Sequence, residues 1–365
     1  MRNKYRNLIL IFLAFFIIIS VIPSVLAKTR NGYLIDFILD TEIEPNGFSN
    51  GIGEEREVSL EATAFAIDIL DYYGVNPSDV EELQETLKQN INTMLDGDKV
   101  NLYDLYYLIK SLYLLEYSFE LSLLKKISIF INGTQQLDGG FSFSNTSSYV
   151  NIITTFYVVQ LFRLIEQPIP NMTLHQSWVL SCYNGDGGFG GNSGLSSTIT
   201  STYYAILVLD EFGNLDSSID INKTVSYINS FYIVNSADVN NFGGYVPDEI
   251  ATYALLSTTY FCTKVLSLLN ENELNIDATV KWVLNHQNDQ DGGFVDYTEA
   301  YQQKLSSVST SYYAFETLKI LNPSLSKLSQ EIWMVEFNFW ILGIVLIAIS
   351  VLIAISVLIW KKRRI

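Results

Sequence analysis

The chain has 365 residues, a formal net charge of −17 and two cysteines. That length allows one large core or two modest ones. The acidic balance argues against nucleic acid or another polyanion as a partner. A small fold stapled by disulfides is excluded, because Cys182 and Cys262 could form at most one bridge.

Residues 1–27 have the organisation of a secretory signal peptide. Arg2, Lys4 and Arg6 precede an apolar run, and the small residues from Ser24 to Ala27 suit a cleavage site. We therefore predict that the rest of the chain is exported. Four Asn-X-Ser/Thr sequons would then be candidates for glycosylation: Asn132, Asn145, Asn171 and Asn222.

A glycine-rich turn recurs along residues 28–322, as in Asp186-Gly-Gly-Phe189. A helix-length segment such as Lys281-Trp-Val-Leu-Asn285 precedes each turn, and another with a core such as Thr202-Tyr-Tyr-Ala205 follows it. Six helix pairs result, and a single pair cannot bury its own apolar faces. The pairs must therefore stack as an open solenoid or close into a ring. We predict a structural role for the turn glycines Gly139, Gly140, Gly187, Gly188, Gly243, Gly244, Gly292 and Gly293.

The fourth repeat, from Trp178 to Gly194 with the following Thr202-Tyr-Tyr-Ala205, resembles the repeat of protein prenyltransferase β subunits and squalene cyclases. The resemblance extends more weakly from about Tyr33 to Asn322. It implies an all-α fold, an α6/α6 toroid of six helix-pair repeats with a central cavity at one mouth.

The resemblance also implies positions for zinc ligands, an Asp-x-Cys pair at the fifth inner helix and a His at the sixth. This sequence has Leu255, Ser257 and Thr310 at those places, and Thr198 where the family's diphosphate-binding His would stand. Zinc needs nitrogen, sulfur or carboxylate donors. We therefore expect no metal and no cofactor. The string nearest to the acid motif of squalene cyclases, 289–292, belongs to a repeated turn.

Several polar and aromatic side chains are candidates for the cavity. Asp248 and Glu249 are placed at the start of the fifth inner helix, where the helix dipole also favours acidic residues. In each Tyr-Tyr pair we expect one ring to face the outer helices and the other to face a neighbouring inner helix or the cavity. The cavity candidates are Tyr106, Tyr149, Thr198, Thr200, Asp248, Glu249 and Thr310.

Residues 338–360 are predicted to form a transmembrane helix, reached through a juxtamembrane linker at 323–337. The apolar run is bracketed by Trp340 and Trp360 and is long enough to cross a hydrocarbon core of roughly 30 Å. The basic tail at 361–365 places the C-terminus in the cytoplasm. We therefore expect a single-pass cell-membrane protein with its toroid outside.

Two classes of function fit these features. The first is a binding or interaction module that lacks the family's zinc and Asp-rich catalytic residues. The second is an enzyme of isoprenoid, lipid or glycan metabolism with non-standard catalytic residues. The expected partners are the membrane and a lipid, isoprenoid, glycan or protein ligand; a cobalamin carrier is a third candidate with no residue of its own to support it.

Overall fold

The computed structural model describes residues 28–97, 100–213, 215–296 and 305–332. The predicted signal peptide, transmembrane helix and basic tail lie outside these ranges. Within them, no helix is long and apolar enough to cross a membrane. The chain divides into one unit of residues 1–29 and 331–365 and a second of residues 30–330. The described part of the first unit is an antiparallel pair of strands, β1 (Lys28–Thr29) and β6 (Glu331–Ile332).

The second unit is built from helix pairs. Its inner helices are α2 (Leu60–Tyr72), α4 (Leu102–Leu114), α6 (Ile152–Leu164), α8 (Ile199–Glu211), α11 (Leu256–Leu269) and α13 (Val308–Leu321). Its outer helices are α1 (Arg30–Asp40), α3 (Val80–Asp96), α5 (Leu121–Gly133), α7 (Met172–Ser181), α10 (Ile221–Asn229) and α12 (Ile276–Asn285). The remaining elements are the short helix α9 (Leu215–Ser218), a 3₁₀ turn (Glu271–Glu273), and the antiparallel pairs β2 (Glu42–Ile43) with β3 (Gly47–Phe48) and β4 (Phe189–Gly190) with β5 (Ser197–Thr198).

The six inner helices form a closed ring. Each packs against the next along the chain, and α13 packs against α2. Outer helices cover this ring, as α3 does on α4 and α12 does on α13. The repeats therefore close into a toroid instead of stacking as an open solenoid, and the expectation of an all-α toroid is confirmed.

Hydrogen-bonding side chains cap the N-terminal ends of five inner helices. Ser59, Asn101, Asn151, Thr198 and Ser307 precede five of them, and each accepts a hydrogen bond from a backbone N–H of the first turn. Helix α11 is different because its N-cap residue is Leu255, which offers no side-chain acceptor. That helix takes its cap from the sixth repeat, as described below.

The glycine turns are structural, and the two glycines of each turn are needed for different reasons. The first has a positive φ, for example 95° at Gly187 and 86° at Gly292. The second has no such φ, but a Cβ on Gly188 would come within 2.6 Å of Ser197. Gly188 and Gly293 are therefore glycine because of the space around them and not because of their φ.

The segment after α13 belongs to the toroid unit. Leu325 and Leu328 are buried, and the N–H of Asn31 donates to the Leu328 carbonyl at 2.9 Å. The Arg30 N–H donates likewise to the Gln330 carbonyl at 3.1 Å. The predicted boundary at residue 322 therefore lies too early, because the chain continues to pack as far as Gln330.

Candidate functional site in the bore of the toroid

A closed girdle of aromatic rings surrounds the bore. The sixth residue of every inner helix is aromatic, and each ring contacts the ring of the next helix with centroids 5.7 to 6.1 Å apart. Because residues of equal rank meet, the six helices run parallel at the same height. This aromatic girdle consists of Phe65, Tyr107, Tyr157, Tyr204, Phe261 and Tyr313.

The rings at the fifth position also lie between inner helices. Tyr312 stacks on Phe65 with centroids 3.9 Å apart, and Tyr203 stacks on Phe261 at 4.4 Å. Tyr106, a predicted cavity residue, contacts the rings of Phe156 and Tyr157. The expectation that one ring of each pair faces the outer layer is therefore wrong for these pairs, since both rings join neighbouring inner helices.

The second residues of the inner helices lie four residues before the girdle, at the N-terminal ends of these helices, and all are partly exposed. We call this end of the bore its entrance. Glu61 accepts a hydrogen bond from the Tyr107 hydroxyl at 2.8 Å, and the Tyr157 hydroxyl lies 3.1 Å from that of Tyr107. A chain of two phenols thus ends on a carboxylate beside the aromatic girdle. The entrance residues are Glu61, Tyr103, Ile153, Thr200, Ser257 and Ser309.

A largely polar layer lies one helical turn beyond the girdle, at the ninth residue of the inner helices, where five of the six residues are polar. Lys110 and Asp68 form an ion pair of 2.7 Å there, with only 13% and 20% of their side chains exposed. The ammonium also lies 4.9 Å from the centroid of Tyr312. Burial opposes the charged form, but Tyr106 and Asp68 outweigh it and raise the pKa of Lys110. The layer consists of Asp68, Lys110, Gln160, Leu207, Lys264 and Glu316.

Asp296 supplies the missing cap of α11. Its Oδ1 accepts a hydrogen bond from the Leu256 N–H at 2.7 Å. Burial raises the pKa of this carboxyl to about 6, and the hydrogen bond from Leu256 opposes that shift only in part. Asn50 makes a similar contact at α13, which Ser307 already caps: its Oδ1 accepts from the Ser309 N–H at 3.0 Å. Asp296 therefore caps α11 and also has a carboxyl whose pKa lies above that of an ordinary aspartate.

The predicted cavity residues of the second, third and fourth repeats separate into two groups. Thr200 lies at the entrance, and Tyr106 lies in the wall of the bore. Thr198 is exposed and caps α8 through its hydrogen bond with the Ser201 N–H. Tyr149 is 58% exposed on the loop that leads into α6. The last two are therefore exposed residues that precede inner helices.

The predicted placement of Asp248 and Glu249 was wrong, because α11 begins only at Leu256. Both acids are exposed on the preceding loop, where Asp248 accepts hydrogen bonds from the Ile250 and Ala251 N–H groups. Proline at position 247 and the turn-forming Asp248 hold this segment out of the helix.

Residues at the family's zinc positions make local contacts. The Thr310 hydroxyl donates to the Phe294 carbonyl, and Leu255 precedes α11. Cys262 and Cys182 are free and buried, and burial raises the pKa of both thiols. Within the described ranges, no three His, Cys, Asp or Glu residues lie close enough together to hold a metal ion.

The two histidines are held in the outer layer. Nδ1 of His175 hydrogen-bonds to the Gly139 carbonyl, and its ring packs against Phe141 at a tilt of 31°. Nδ1 of His286 lies 2.8 Å from the Trp282 carbonyl. The four sequon asparagines Asn132, Asn145, Asn171 and Asn222 are all exposed.

Sequence reasoning did not select Glu61, Tyr107, Lys110 or Asp296. The first three could have been found by aligning the inner helices from their first residues, because positions two, six and nine then coincide. Asp296 gives no such signal, since its partner Leu256 lies 40 residues away in the chain.

A closed ring of six helix pairs with an aromatic bore defines the class of α/α toroids. A profile of the prenyltransferase alpha-alpha toroid domain matches residues 78–176, 170–294 and 239–337. This chain belongs to that family. Curated proteins give no match.

Solved structures share the fold at low sequence identity. Candida albicans protein geranylgeranyltransferase-I complexed with GGPP is 16% identical with a TM-score of 0.58, over 77% of this chain and 90% of that one. The apo type II terpene cyclase MstE from Scytonema is 12% identical with a TM-score of 0.57, over 82% and 97%. Its variant complexed with geranylgeranyl dihydroxybenzoate is 10% identical with a TM-score of 0.55, over 82% and 97%.

Proposed function

We propose that this protein is a membrane-anchored, extracytoplasmic binding module whose bore holds an elongated apolar molecule with a polar end, of the isoprenoid or lipid class. The observation that carries the proposal is the aromatic girdle with the hydrogen-bonded chain from Tyr157 through Tyr107 to Glu61 at its entrance side. Aromatic faces suit an unsaturated hydrocarbon chain, and the carboxylate and phenols suit a hydroxyl.

The ligands named for the structural relatives support this ligand class. One relative is complexed with GGPP and another with geranylgeranyl dihydroxybenzoate. Thr310 and Leu255 serve as helix-start residues here, so the zinc chemistry of the resembled family has no ligand set at those places. These contacts support the proposal of binding without group transfer.

The extracytoplasmic placement rests on the two sequence ends. Protease added to intact cells should digest the toroid and leave the tail at 361–365 protected. Digestion of the tail with protection of the toroid would reverse the topology and remove this part of the proposal.

Binding is tested with the full chain in lipid nanodiscs, using geranylgeraniol and the hydrocarbon that lacks its hydroxyl. We expect Tyr107→Phe to weaken geranylgeraniol about tenfold and to leave the hydrocarbon unchanged, since the ligand hydroxyl loses its hydrogen bond with the phenol. Tyr72→Phe, on a ring 43% exposed, is the matched control. Equal binding of both ligands by wild type and Tyr107→Phe would contradict the proposed site.

A second candidate is an enzyme that protonates an isoprenoid or lipid substrate, and Asp296 is the observation that favours it. With a pKa of about 6, this partly buried carboxyl is partly protonated near neutral pH and is suited to donating a proton. The variant Asp296→Asn distinguishes the binding module from the enzyme. Product formation by wild type that Asp296→Asn abolishes, while ligand binding stays unchanged, would establish the enzyme.

A further inference from the structure

A groove separate from the bore lies where the C-terminal ends of α2, α4 and α6 meet the loop between α4 and α5. Its volume is about 640 Å³. Tyr113, Tyr117 and Phe119 form aromatic walls, and the Tyr113 side chain is 49% exposed. Such a concave aromatic surface can bury a side chain of a partner.

The groove is strongly acidic. Asp71, Glu116 and Glu166 line it, and no lining residue is basic. In the described part of the chain, none of these three carboxylates has a hydrogen bond or ion pair. The neighbouring Lys88 is engaged with Glu120, at 3.1 Å. The groove therefore presents three negative charges that the toroid itself does not neutralise.

Two of these carboxylates occupy positions where the backbone favours glycine. Glu116 and Glu166 follow the C-terminal ends of α4 and α6 with φ of 56° and 54°. Gly74 and Gly213 stand at the same place after α2 and α8, with φ of 66° and 71°. A residue with a Cβ is disfavoured in this conformation by roughly 1 kcal/mol. Glu116 and Glu166, which stand where other inner helices have glycine, therefore both bring a carboxylate to this groove.

We propose that this groove docks a basic polypeptide segment, with an arginine or lysine side chain inserted between the aromatic walls and paired with Glu116 and Glu166. Charge complementarity selects a cationic partner, and aromatic faces stabilise a cation directly. Tyr117 already accepts one cation, since Lys88 Nζ lies 5.9 Å from its ring centroid. The proposal does not depend on what the bore binds.

The test uses the full chain in detergent and a fluorescent Gly-Ser peptide carrying three arginines, followed by anisotropy. A peptide with glutamines at the same places is the neutral probe. We expect the arginine peptide alone to bind, with affinity falling as salt rises. The double variant Glu116→Gly/Glu166→Gly should weaken it about tenfold or more. This variant should fold at least as well as wild type, because glycine fits both backbone positions.

Tyr113→Ala provides a second variant, expected to weaken the peptide without changing the net charge. The matched control is Glu54→Gln/Glu55→Gln, which removes two exposed charges outside the groove and should leave binding unchanged. Equal binding of the glutamine peptide, or an equal loss in the control, would overturn the proposal. So would binding of soluble phosphocholine in place of the peptide, lost in the glycine variant, because a lipid headgroup would then be the occupant.

Discussion

The Tyr107 hydroxyl donates a hydrogen bond of 2.8 Å to the Glu61 carboxylate across two neighbouring inner helices. Burial, and then the neighbours Tyr157 and Glu61, raise the pKa of Tyr107, so this phenol stays a donor at all ordinary pH values. The pair joins α2 to α4 at the entrance of the bore. It is therefore both a structural link and the polar end of the proposed site.

Removing that hydroxyl should destabilise the toroid. We expect Tyr107→Phe to lower the free energy of unfolding by about 1–2 kcal/mol, because a partly buried carboxylate loses its donor. Denaturant unfolding followed by circular dichroism measures the loss. In the Glu61→Gln background the same substitution should cost less; an equal cost in both backgrounds would show that the pair is not coupled.

Asp296 should make stability depend on pH. Its pKa is raised to about 6 from an ordinary 3.8, so the folded state binds the proton more tightly than the unfolded state. The stability from this proton is present in full below about pH 4 and is lost as pH rises through 6, up to roughly 3 kcal/mol.

Asp296→Asn isolates this effect, since an amide oxygen can still accept from the Leu256 N–H, as Asn50 does for Ser309. The variant should gain stability over wild type as pH rises from 4 to 7, measured by unfolding at several pH values. Asp248→Asn is the control for the loss of a charge. A pH-independent difference between Asp296→Asn and wild type would contradict the raised pKa.

Replacing one partner of the ion pair between Lys110 and Asp68 should destabilise the fold, whereas replacing both partners should have a much smaller effect. Lys110→Met leaves Asp68 without its cation in the bore and should destabilise the fold by about 3 kcal/mol. The double variant Asp68→Leu/Lys110→Met should recover most of that loss. Calorimetric unfolding of the two single variants and the double variant gives the coupling, and additive losses would count against a direct pair.

Gly187 should tolerate no side chain. A Cβ there would meet the backbone of Lys223 at 2.4 Å, and the φ of 95° already disfavours L residues. We expect Gly187→Ala to cost more than about 2 kcal/mol. Gly185→Ala in the same turn, where no atom lies within 4 Å, should be nearly neutral in the same thermal unfolding assay. Similar melting temperatures for both variants would contradict the tight packing.

The sequence alone determined the repeat and hence the fold class. The recurring Gly-Gly-Phe turns and Thr-Tyr-Tyr-Ala cores indicate six helix pairs, because turn chemistry and helical periodicity are local properties of the chain. Closure of the ring is not local. It depends on the contact of α13 with α2, whose residues are far apart in the sequence.

Some residues of the candidate site could likewise be placed from the sequence, and others only from the tertiary structure. The tyrosine columns and Thr200 could be placed from the repeat register, since every inner helix presents equal positions to the bore. Asp248 and Glu249 could not, because the loop before α11 is longer than the repeat suggested. The roles of Asp296 and of the pair between Lys110 and Asp68 were decided only by the tertiary structure. Burial and charge pairing arise when distant segments are brought together, and these give a carboxyl or an ammonium its properties.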